Sequence, residues 1–439
     1  MNRREFWDRL MKEGPLLLDG ATGTNLQAAG LPTGVSPEAW VLEHPEVLAD
    51  LQRSFYAAGS DIVYAFTFGA NRIKLQHHGI AAAQVEDLNT RLARISCAVR
   101  DGVAPGRTRQ PLVAGDLAPT GEFLRPAGAL DFDELVDIYR QQVRGLLQAG
   151  VDLFVAETML DLAQTRAAVL AVRAECDLAV LASLTVEPNG RTLSGNSIHE
   201  CVTALAACGA DAVGLNCSFG PDGLGQIVRE VLDLSPIPLL VKPNAGLPRL
   251  VAGKTVFDMT PAHFAQAMSG LVQAGVLLAG GCCGTRPDHL AALSAELKSL
   301  QDAGSPRIFE NIAKARPAFL QRLSSARQTV EWAAVTNWPT LVVDDPDDLQ
   351  DQLLDAAEDE PALIALDITA ITAGNLADFL EALDMIQMTH PIPLAFKGQD
   401  AAILQTLLRR YHGRAGVISP RQIWPEALDE GWAAFRWEA

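Results

Sequence analysis

Three cysteines offer the most specific chemistry in this sequence. Residues 280–285 read Gly-Gly-Cys-Cys-Gly-Thr and follow directly on the apolar run 276–279. Adjacent cysteines such as Cys282 and Cys283 do not bond to each other without strain. Thiolates held at a strand end, among glycines that let the backbone approach closely, suit a soft or borderline metal. A third thiol, Cys217, closes another apolar run at 212–217, 65 residues before Cys282. That spacing is far too long for a zinc ribbon, but in a closed barrel the ends of strands six and eight come together. Three thiolates with one exchangeable position describe a catalytic zinc site, not a structural one. The competing reading of any cysteine is a small buried hydrophobe, and Cys97, Cys176, Cys201 and Cys208, in or beside helical segments, read that way.

The elements that must position these residues are legible as an alternation. Short β-branched or apolar runs occur at 16–19, 62–67, 111–116, 152–157, 179–186, 212–217, 239–244 and 276–281. Segments with helical periodicity, such as 132–149 and 162–174, separate them. This is the pattern of βα units with parallel strands. Eight units in about 300 residues predict an α/β fold of the (βα)8 TIM-barrel type; a doubly wound open sheet is the alternative. A barrel requires its functional residues at the C-terminal strand ends. Asp19, Glu157, Asn216, Cys217, Asn244, Cys282 and Cys283 all fall there.

Composition narrows the partners. The chain has 439 residues, 49% of them hydrophobic, and a formal charge of −18. Such a balance argues against nucleic acid and against an acidic membrane surface, both of which need clustered Lys and Arg. Residues 1–14 are charged and lack the apolar core of a signal peptide, and no apolar run approaches a membrane span. The expected setting is cytoplasmic. Seven cysteines, an odd number in a chain of this length, are read as free thiols or ligands, not as a disulfide framework. His77 and His78, neighbours on a helix, point apart and read as a solvated face.

Six separated motifs carry a family resemblance. They are Asp-Gly-Ala-Thr-Gly-Thr at 19–24, Phe-Thr-Phe-Gly-Ala-Asn-Arg at 66–72, Glu157-Thr158, Gly-Leu-Asn-Cys-Ser at 214–218, Pro-Asn-Ala-Gly at 243–246 and the 280–285 stretch. In this order they resemble the homocysteine S-methyltransferase family over roughly residues 14–300. Within it, residues 215–221 and the loop 186–199 are most similar to the homocysteine-binding module of cobalamin-dependent methionine synthases. The resemblance implies a zinc-bearing barrel and methyl transfer to the thiol of L-homocysteine, giving methionine. It implies Cys217, Cys282 and Cys283 as zinc ligands that activate the substrate thiol, with Asn244 at the fourth position when substrate is absent. For Asn244 a turn role in Pro-Asn-Ala-Gly is an equal alternative. Asp19 and Glu157 suit the substrate ammonium, and the amides of the turn at Gly20 and Ala21 suit its carboxylate. The competing roles are a helix cap for Asp19 and an ion pair with Arg166 for Glu157.

Beyond residue 300 the character changes. Residues 301–338 read as a helical linker containing Pro317, and 339–439 as a small acidic α/β domain. Four strands are expected there, at 341–343, 363–368, 392–396 and 416–418, with helices starting near Pro346, Gly374, Gln399 and Pro425. From Asn337 onward, 6 Lys and Arg face 18 Asp and Glu, so most of the excess acidity lies here. The segment 362–418 is weakly similar to the start of the pterin-binding barrel of methionine synthases and is read as a degenerate remnant of it. Where that barrel carries Asp-x-Asn and Asp-Ser, this chain has Asp367-Ile368-Thr369 and Lys397-Gly398, so folate binding is not carried over. The cobalamin pattern Asp-x-His-x-x-Gly is also missing from the sequence. The expected donor is therefore methylcobalamin, free or on a separate corrinoid protein, with docking of that partner or homo-oligomerisation as roles for the acidic domain. Two alternatives stay open: a homocysteine methyltransferase using S-methylmethionine, S-adenosylmethionine or a betaine, and a non-catalytic zinc- or thiol-binding scaffold.

Overall fold

The computed structural model describes residues 1–103, 106–251, 254–302, 308–420 and 433–438. Eight parallel strands are built from the eight apolar runs: β1 Leu16–Leu17, β2 Ile62–Tyr64, β3 Leu112–Leu117, β4 Leu153–Met159, β5 Val180–Leu184, β6 Ala212–Cys217, β7 Leu239–Pro243 and β8 Leu278–Ala279. Their order around the sheet is β1-β8-β7-β6-β5-β4-β3-β2. A parallel bridge from Leu18 to Ile62 joins the two ends, and the sheet closes on itself. The (βα)8 expectation holds, and the open doubly wound sheet is set aside.

Each connection has a local cause. The helix Phe132–Ala149 starts where the Asp131 side chain accepts from the backbone N–H groups of Asp133 and Glu134, and it stops at Gly150, whose φ of 84° only glycine adopts readily. One face of that helix, with Leu135, Val136, Ile138, Tyr139, Val143 and Leu146, is buried against the barrel. The inside of the barrel is filled by every second strand residue. Leu16, Leu18, Ile62, Leu112, Ala114, Leu153, Val155, Leu181, Ala212, Leu240 and Leu278 form one buried cluster. Each large aliphatic in it contributes about 1.5–3 kcal/mol relative to exposure. The same period of two carries the strands upward into polar residues: Asp116 after Ala114, Glu157 after Val155, Ser183 after Leu181, Lys242 after Leu240. On β6 it runs from Ala212 through Gly214 to Asn216.

Two features lay outside the sequence expectations. An antiparallel hairpin, Arg249–Val251 with Lys254–Val256, is inserted after β7. The segment between barrel and C-terminal sheet holds a helix, Ile308–Leu320, followed by a second hairpin, Arg322–Ser324 with Thr329–Glu331. The C-terminal sheet has five parallel strands in sequence order: β9 Thr340–Val342, β10 Ile364–Asp367, β11 Leu394–Lys397, β12 Gly416–Pro420 and β13 Ala434–Glu438. Four coincide with the expected runs and β13 is additional; the helix expected near Pro425 lies outside the described residues. Among the described residues no helix is long and apolar enough to cross a membrane.

The C-terminal unit is tied to the barrel by arginines. The guanidinium of Arg166, 2% exposed, donates to the backbone oxygens of Leu408 (3.1 Å) and Arg409 (3.3 Å), at the negative end of the helix Ala401–Arg410. Arg410 meets Asp131 at 3.3 Å and Asp133 at 3.2 Å, and also pairs with Asp384. Asn196, in the loop after β5, donates to Ala326 O at 3.1 Å. These contacts brace the helices and loops that follow β3, β4 and β5.

The approach of β6 to β7 depends on Gly214, where an added Cβ would lie 1.7 Å from Leu240 O. Gly214→Ala is expected to destabilise the fold by about 3 kcal/mol, the upper part of the usual overpacking range. Gly270→Ala, in the exposed interior of the helix Pro261–Ala274 with no atom within 4 Å of its added Cβ, should instead stabilise by ~0.5–1 kcal/mol. Urea unfolding of the two variants checks both signs, and a Gly214→Ala protein as stable as the parent would refute this strand packing.

Candidate functional site

The three cysteines meet at the C-terminal mouth of the barrel. The sulfurs of Cys217, Cys282 and Cys283 all lie within 4.8 Å of one another, the only such potential metal-holding group among the described residues. Cys217 ends β6 in a left-handed conformation, φ 59°. The 280–285 turn is pinned on both sides: Cys282 N donates to Pro243 O (2.7 Å), Ala245 N to Cys283 O (2.9 Å), and the Thr285 hydroxyl to Cys282 O (2.6 Å). Gly284, φ 79°, is where the chain presses on Phe257, with an added Cβ 2.3 Å from its ring.

The cluster passes a simple test for a tetrahedral thiolate-bound ion. Sulfurs ~2.3 Å from such an ion stand roughly 3.8 Å apart, within the span observed. Beside them Asn244, 4% exposed, hydrogen-bonds through its side chain to Cys217 while its Oδ1 has no donor. A buried acceptor without a donor is costly and marks a place for an electrophile. Hydrogen bonds from Cys282 and Cys283 hold the Cys217 pKa well below the usual thiol value, and the same bonds raise that of Cys283. One thiolate flanked by two thiols is the state this geometry favours until an ion displaces the protons.

A second cluster lines the same cavity, whose volume is about 380 Å³. Asp19, Gly20, Ala21 and Glu157 line it together with the three cysteines, and so do Tyr64, Asp116, Thr158 and Lys242. Lys242, 3% exposed, donates to Asp19 Oδ1 at 2.6 Å and stands 3.6 Å from the centre of the Tyr64 ring. Tyr64 N donates to the other Asp19 oxygen at 2.8 Å. Burial raises the pKa of Asp19 against the pull of Lys242; for Lys242 burial works downward, but Asp19 and Glu157 outweigh it and the ammonium is retained. The charged pair is the state consistent with a 2.6 Å contact.

Asp116 and Glu157 form the other half. Their side chains hydrogen-bond to each other, which for two carboxyls requires a shared proton. Burial pushes Glu157 up to about 7 and Asp116 well above the ordinary carboxyl value. Asp116 Oδ1 and the Tyr64 hydroxyl are buried with no hydrogen-bond partner among the described residues. Counting Asp19 with Lys242 as neutral and Asp116 with Glu157 as sharing one proton, this half carries a single negative charge.

The two structural alternatives raised for these acids do not occur. Asp19 does not cap the following helix Gly23–Ala28, whose N-cap is Thr22. Arg166 is turned away toward Leu408 and Arg409 and leaves Glu157 unpaired by it. In the glycine-rich turn the Ala21 amide already donates to the Thr285 hydroxyl at 3.0 Å. His77 and His78 are exposed, away from the site.

Asp116, Lys242 and Tyr64 were missed by sequence reading, although a signal for them exists. Each continues the inward period of two above an apolar pair or single residue on its strand, and charged residues at such positions must be buried. Glu38, 4% exposed, also lines the cavity and accepts from Gly69 N at 2.8 Å. The larger cleft of the molecule, about 820 Å³, is far from this chemistry. It lies at the N-terminal strand ends, where Arg107 donates to Ser60 O (2.8 Å) and Arg109 to Pro15 O (2.8 Å). Both guanidiniums also pair with the buried Asp61, Arg109 at 3.0 Å and Arg107 at 3.8 Å, and buttress the fold.

Comparison with known proteins agrees with this geometry. Residues 16–297 match the family described as homocysteine S-methyltransferase. The chain is 30% identical over 422 residues to a methionine synthase of Mycobacterium tuberculosis, covering 91% of this chain and 35% of that protein. It is 35% identical over 302 residues to a methionine synthase of Mycobacterium leprae, covering 66% of this chain and 25% of that one. It thus spans about a third or less of these curated relatives. Among solved structures, the metallated form of the homocysteine methyltransferase MmuM from Escherichia coli is similar at a TM-score of 0.57 and 26% identity, covering 66% of this chain and 98% of that one.

The buried ion pair yields a stability test. Lys242→Met leaves the Asp19 carboxylate buried without its cation and should cost about 3–5 kcal/mol. Adding Asp19→Asn to it should restore most of that loss, since no charge then remains unpaired. Thermal or denaturant unfolding of the two single variants and the double variant measures the coupling; additive losses would refute it.

Proposed function

The chain belongs to the homocysteine S-methyltransferase family, and from that premise we propose that it transfers a methyl group to the thiol of L-homocysteine, giving methionine, with zinc held by Cys217, Cys282 and Cys283. The observation that carries this reading is the pairing of two half-sites in one cavity. Three sulfurs within 4.8 Å of one another stand beside the unpartnered Asn244 Oδ1, and the same cavity holds a carboxyl cluster of single negative charge. Zinc bound there supplies Lewis acidity that favours the ionised form of a coordinated substrate thiol near neutral pH.

The chain's own residues do the rest. Glu157, with Asp116 beside it, offers the substrate ammonium a carboxylate in a dry cavity, where an ionic hydrogen bond is strong. Lys242 neutralises Asp19, so that the cavity does not accumulate uncompensated negative charge beside the thiolates. Asn244, able to accept with Oδ1, occupies the remaining position near the sulfurs until substrate arrives. With the amino group fixed at one end and the sulfur at the other, the nucleophile is presented toward the mouth, where the methyl donor approaches. The new S–CH3 bond forms as the bond from methyl to donor breaks, and the thiol proton is lost to solvent or buffer.

For the donor, we favour methylcobalamin, free or carried by a separate corrinoid protein. The likeness to methionine synthase extends over 91% of this chain, beyond the barrel, whereas the likeness to MmuM covers 66%. Small donors such as S-methylmethionine, S-adenosylmethionine or a betaine are the second reading, supported by the cavity of about 380 Å³ at the sulfurs. Seven free cysteines suit a reducing, cytoplasmic setting.

The test is methionine formation from homocysteine across these donors, with zinc quantified in the same protein. Cys217→Ala should lose the zinc and reduce turnover by at least ~10²-fold, in line with removal of a metal ligand that activates the nucleophile. Wild-type turnover of zinc-free Cys217→Ala would overturn the proposal. A pH profile gives a further check. Because Glu157 is held up to about 7, the pair Asp116–Glu157 gains its second proton and loses its charge as pH falls through that value. The KM for homocysteine should therefore rise below about pH 7, and Glu157→Gln should raise KM while flattening this acid limb. An unchanged acid limb in Glu157→Gln would remove Glu157 from ammonium binding.

A further inference from the structure

Asn216 is fully buried at the end of β6 and uses all the hydrogen-bonding capacity of its amide. Its Oδ1 accepts from Thr158 N (2.9 Å) and from the Ser183 hydroxyl (2.8 Å). Its Nδ2 donates to Thr158 Oγ1 (2.6 Å) and makes a long contact to Cys282 Sγ (3.9 Å). The amide orientation follows from the partners, since the Thr158 N–H can only donate. One side chain therefore spans β4, β5, β6 and the turn after β8.

The backbone around this amide is unusual in a way that calls for such a clamp. Among the described residues four non-glycine residues have left-handed φ, and three of them are here: Thr158 at 56°, Cys217 at 59° and Ser218 at 55°. Threonine, being β-branched, is a strong outlier in that region. Such conformations persist where the surroundings over-determine them, and they concentrate at functional sites. The β4–β5 register shifts between Ala156 and Met159, at the residues that present Glu157 and Thr158 to the cavity. Asn216 grips Thr158 by both its N–H and its hydroxyl, while the residue after Asn216 is the thiol Cys217. A second hydroxyl completes the arrangement, with Ser218 Oγ accepting from Val186 N at 2.9 Å.

We propose that Asn216 is a positioning residue that locks the strand end bearing Glu157 to the cysteine cluster, so that the sulfur-binding and ammonium-binding halves of the site form one rigid unit. This rests on the functional reading given above. It predicts that disturbing the clamp at Thr158, which is not itself a proposed metal ligand, weakens metal binding, and that disturbing it anywhere weakens both halves together.

The experiment compares wild type, Asn216→Ala and Thr158→Val, each loaded with zinc. Zinc affinity is measured by chelator competition without substrate, homocysteine KM and kcat by turnover, and folding by circular dichroism. Thr158→Val keeps the shape of the side chain and removes only the acceptor for Asn216 Nδ2, so it serves where Asn216→Ala folds poorly. Both variants should lose roughly 10-fold or more in zinc affinity, the usual effect of removing a group that orients a metal ligand, with KM raised in parallel. A merely structural role would lower the melting temperature and leave the zinc affinity of the folded protein unchanged. Folded Thr158→Val with wild-type zinc affinity and KM overturns the inference while leaving the functional reading intact. Failure of wild type itself to bind zinc overturns the functional reading, and the inference with it.

Discussion

Closure of a parallel sheet imposes the constraint from which the rest of this molecule follows. Once the Leu18–Ile62 bridge joins the first two strands, alternate residues of every strand point into one common interior. Apolar side chains fill its lower layers, from Leu16 and Leu112 up to Ala114 and Val155. The next inward position on each strand is still enclosed by walls but meets the mouth of the barrel. Asp116, Glu157, Ser183, Asn216 and Lys242 occupy that level, largely withdrawn from water, and their polar groups are matched mostly within the site, with Asp19 and Thr158 among the partners.

This forced pairing explains how the charges are divided. Asp19, Asp116 and Glu157 share the deep end of the cavity with one lysine, and Lys242 can neutralise only one acid at 2.6 Å. It takes Asp19. Asp116 and Glu157 are left to share a proton, and desolvation lifts both above the usual carboxyl range. The sulfur cluster shows the same logic, with one thiolate stabilised at the expense of its neighbours. Each cluster is incomplete by itself: Asp116 Oδ1, the Tyr64 hydroxyl and Asn244 Oδ1 are buried without partners. Buried polar atoms without protein partners cost stability, so this arrangement is one that stability alone does not favour.

The C-terminal sheet enters through mechanics. Arg166 and Arg410 fasten the helix Ala401–Arg410 to the starts of barrel segments that follow β3 and β4, and Asn196 ties the loop after β5 to residue Ala326. These are the segments whose strands carry Asp116, Glu157 and Ser183. The acidic unit therefore braces these barrel segments. Its acidity was visible in the composition, but that its arginines Arg409 and Arg410 meet the barrel acids Asp131 and Asp133 was not readable without the fold.

Sequence alone determined the eightfold alternation, the strand ends that hold the site and the trio Cys217, Cys282 and Cys283, because periodicity and residue type are local properties. The 65-residue gap between Cys217 and Cys282 also became interpretable once the strands were counted. What the sequence left open was the division of labour among the acids. Asp19, expected to stand free for an ammonium or to cap a helix, is engaged by Lys242, and Glu157, expected either at the substrate or beside Arg166, shares a proton with Asp116. Such choices depend on distances of a few ångströms between strands far apart in the chain, where Coulomb energy and desolvation change steeply. Only tertiary structure fixes those distances, and with them which buried charge is spent and which is kept for a ligand.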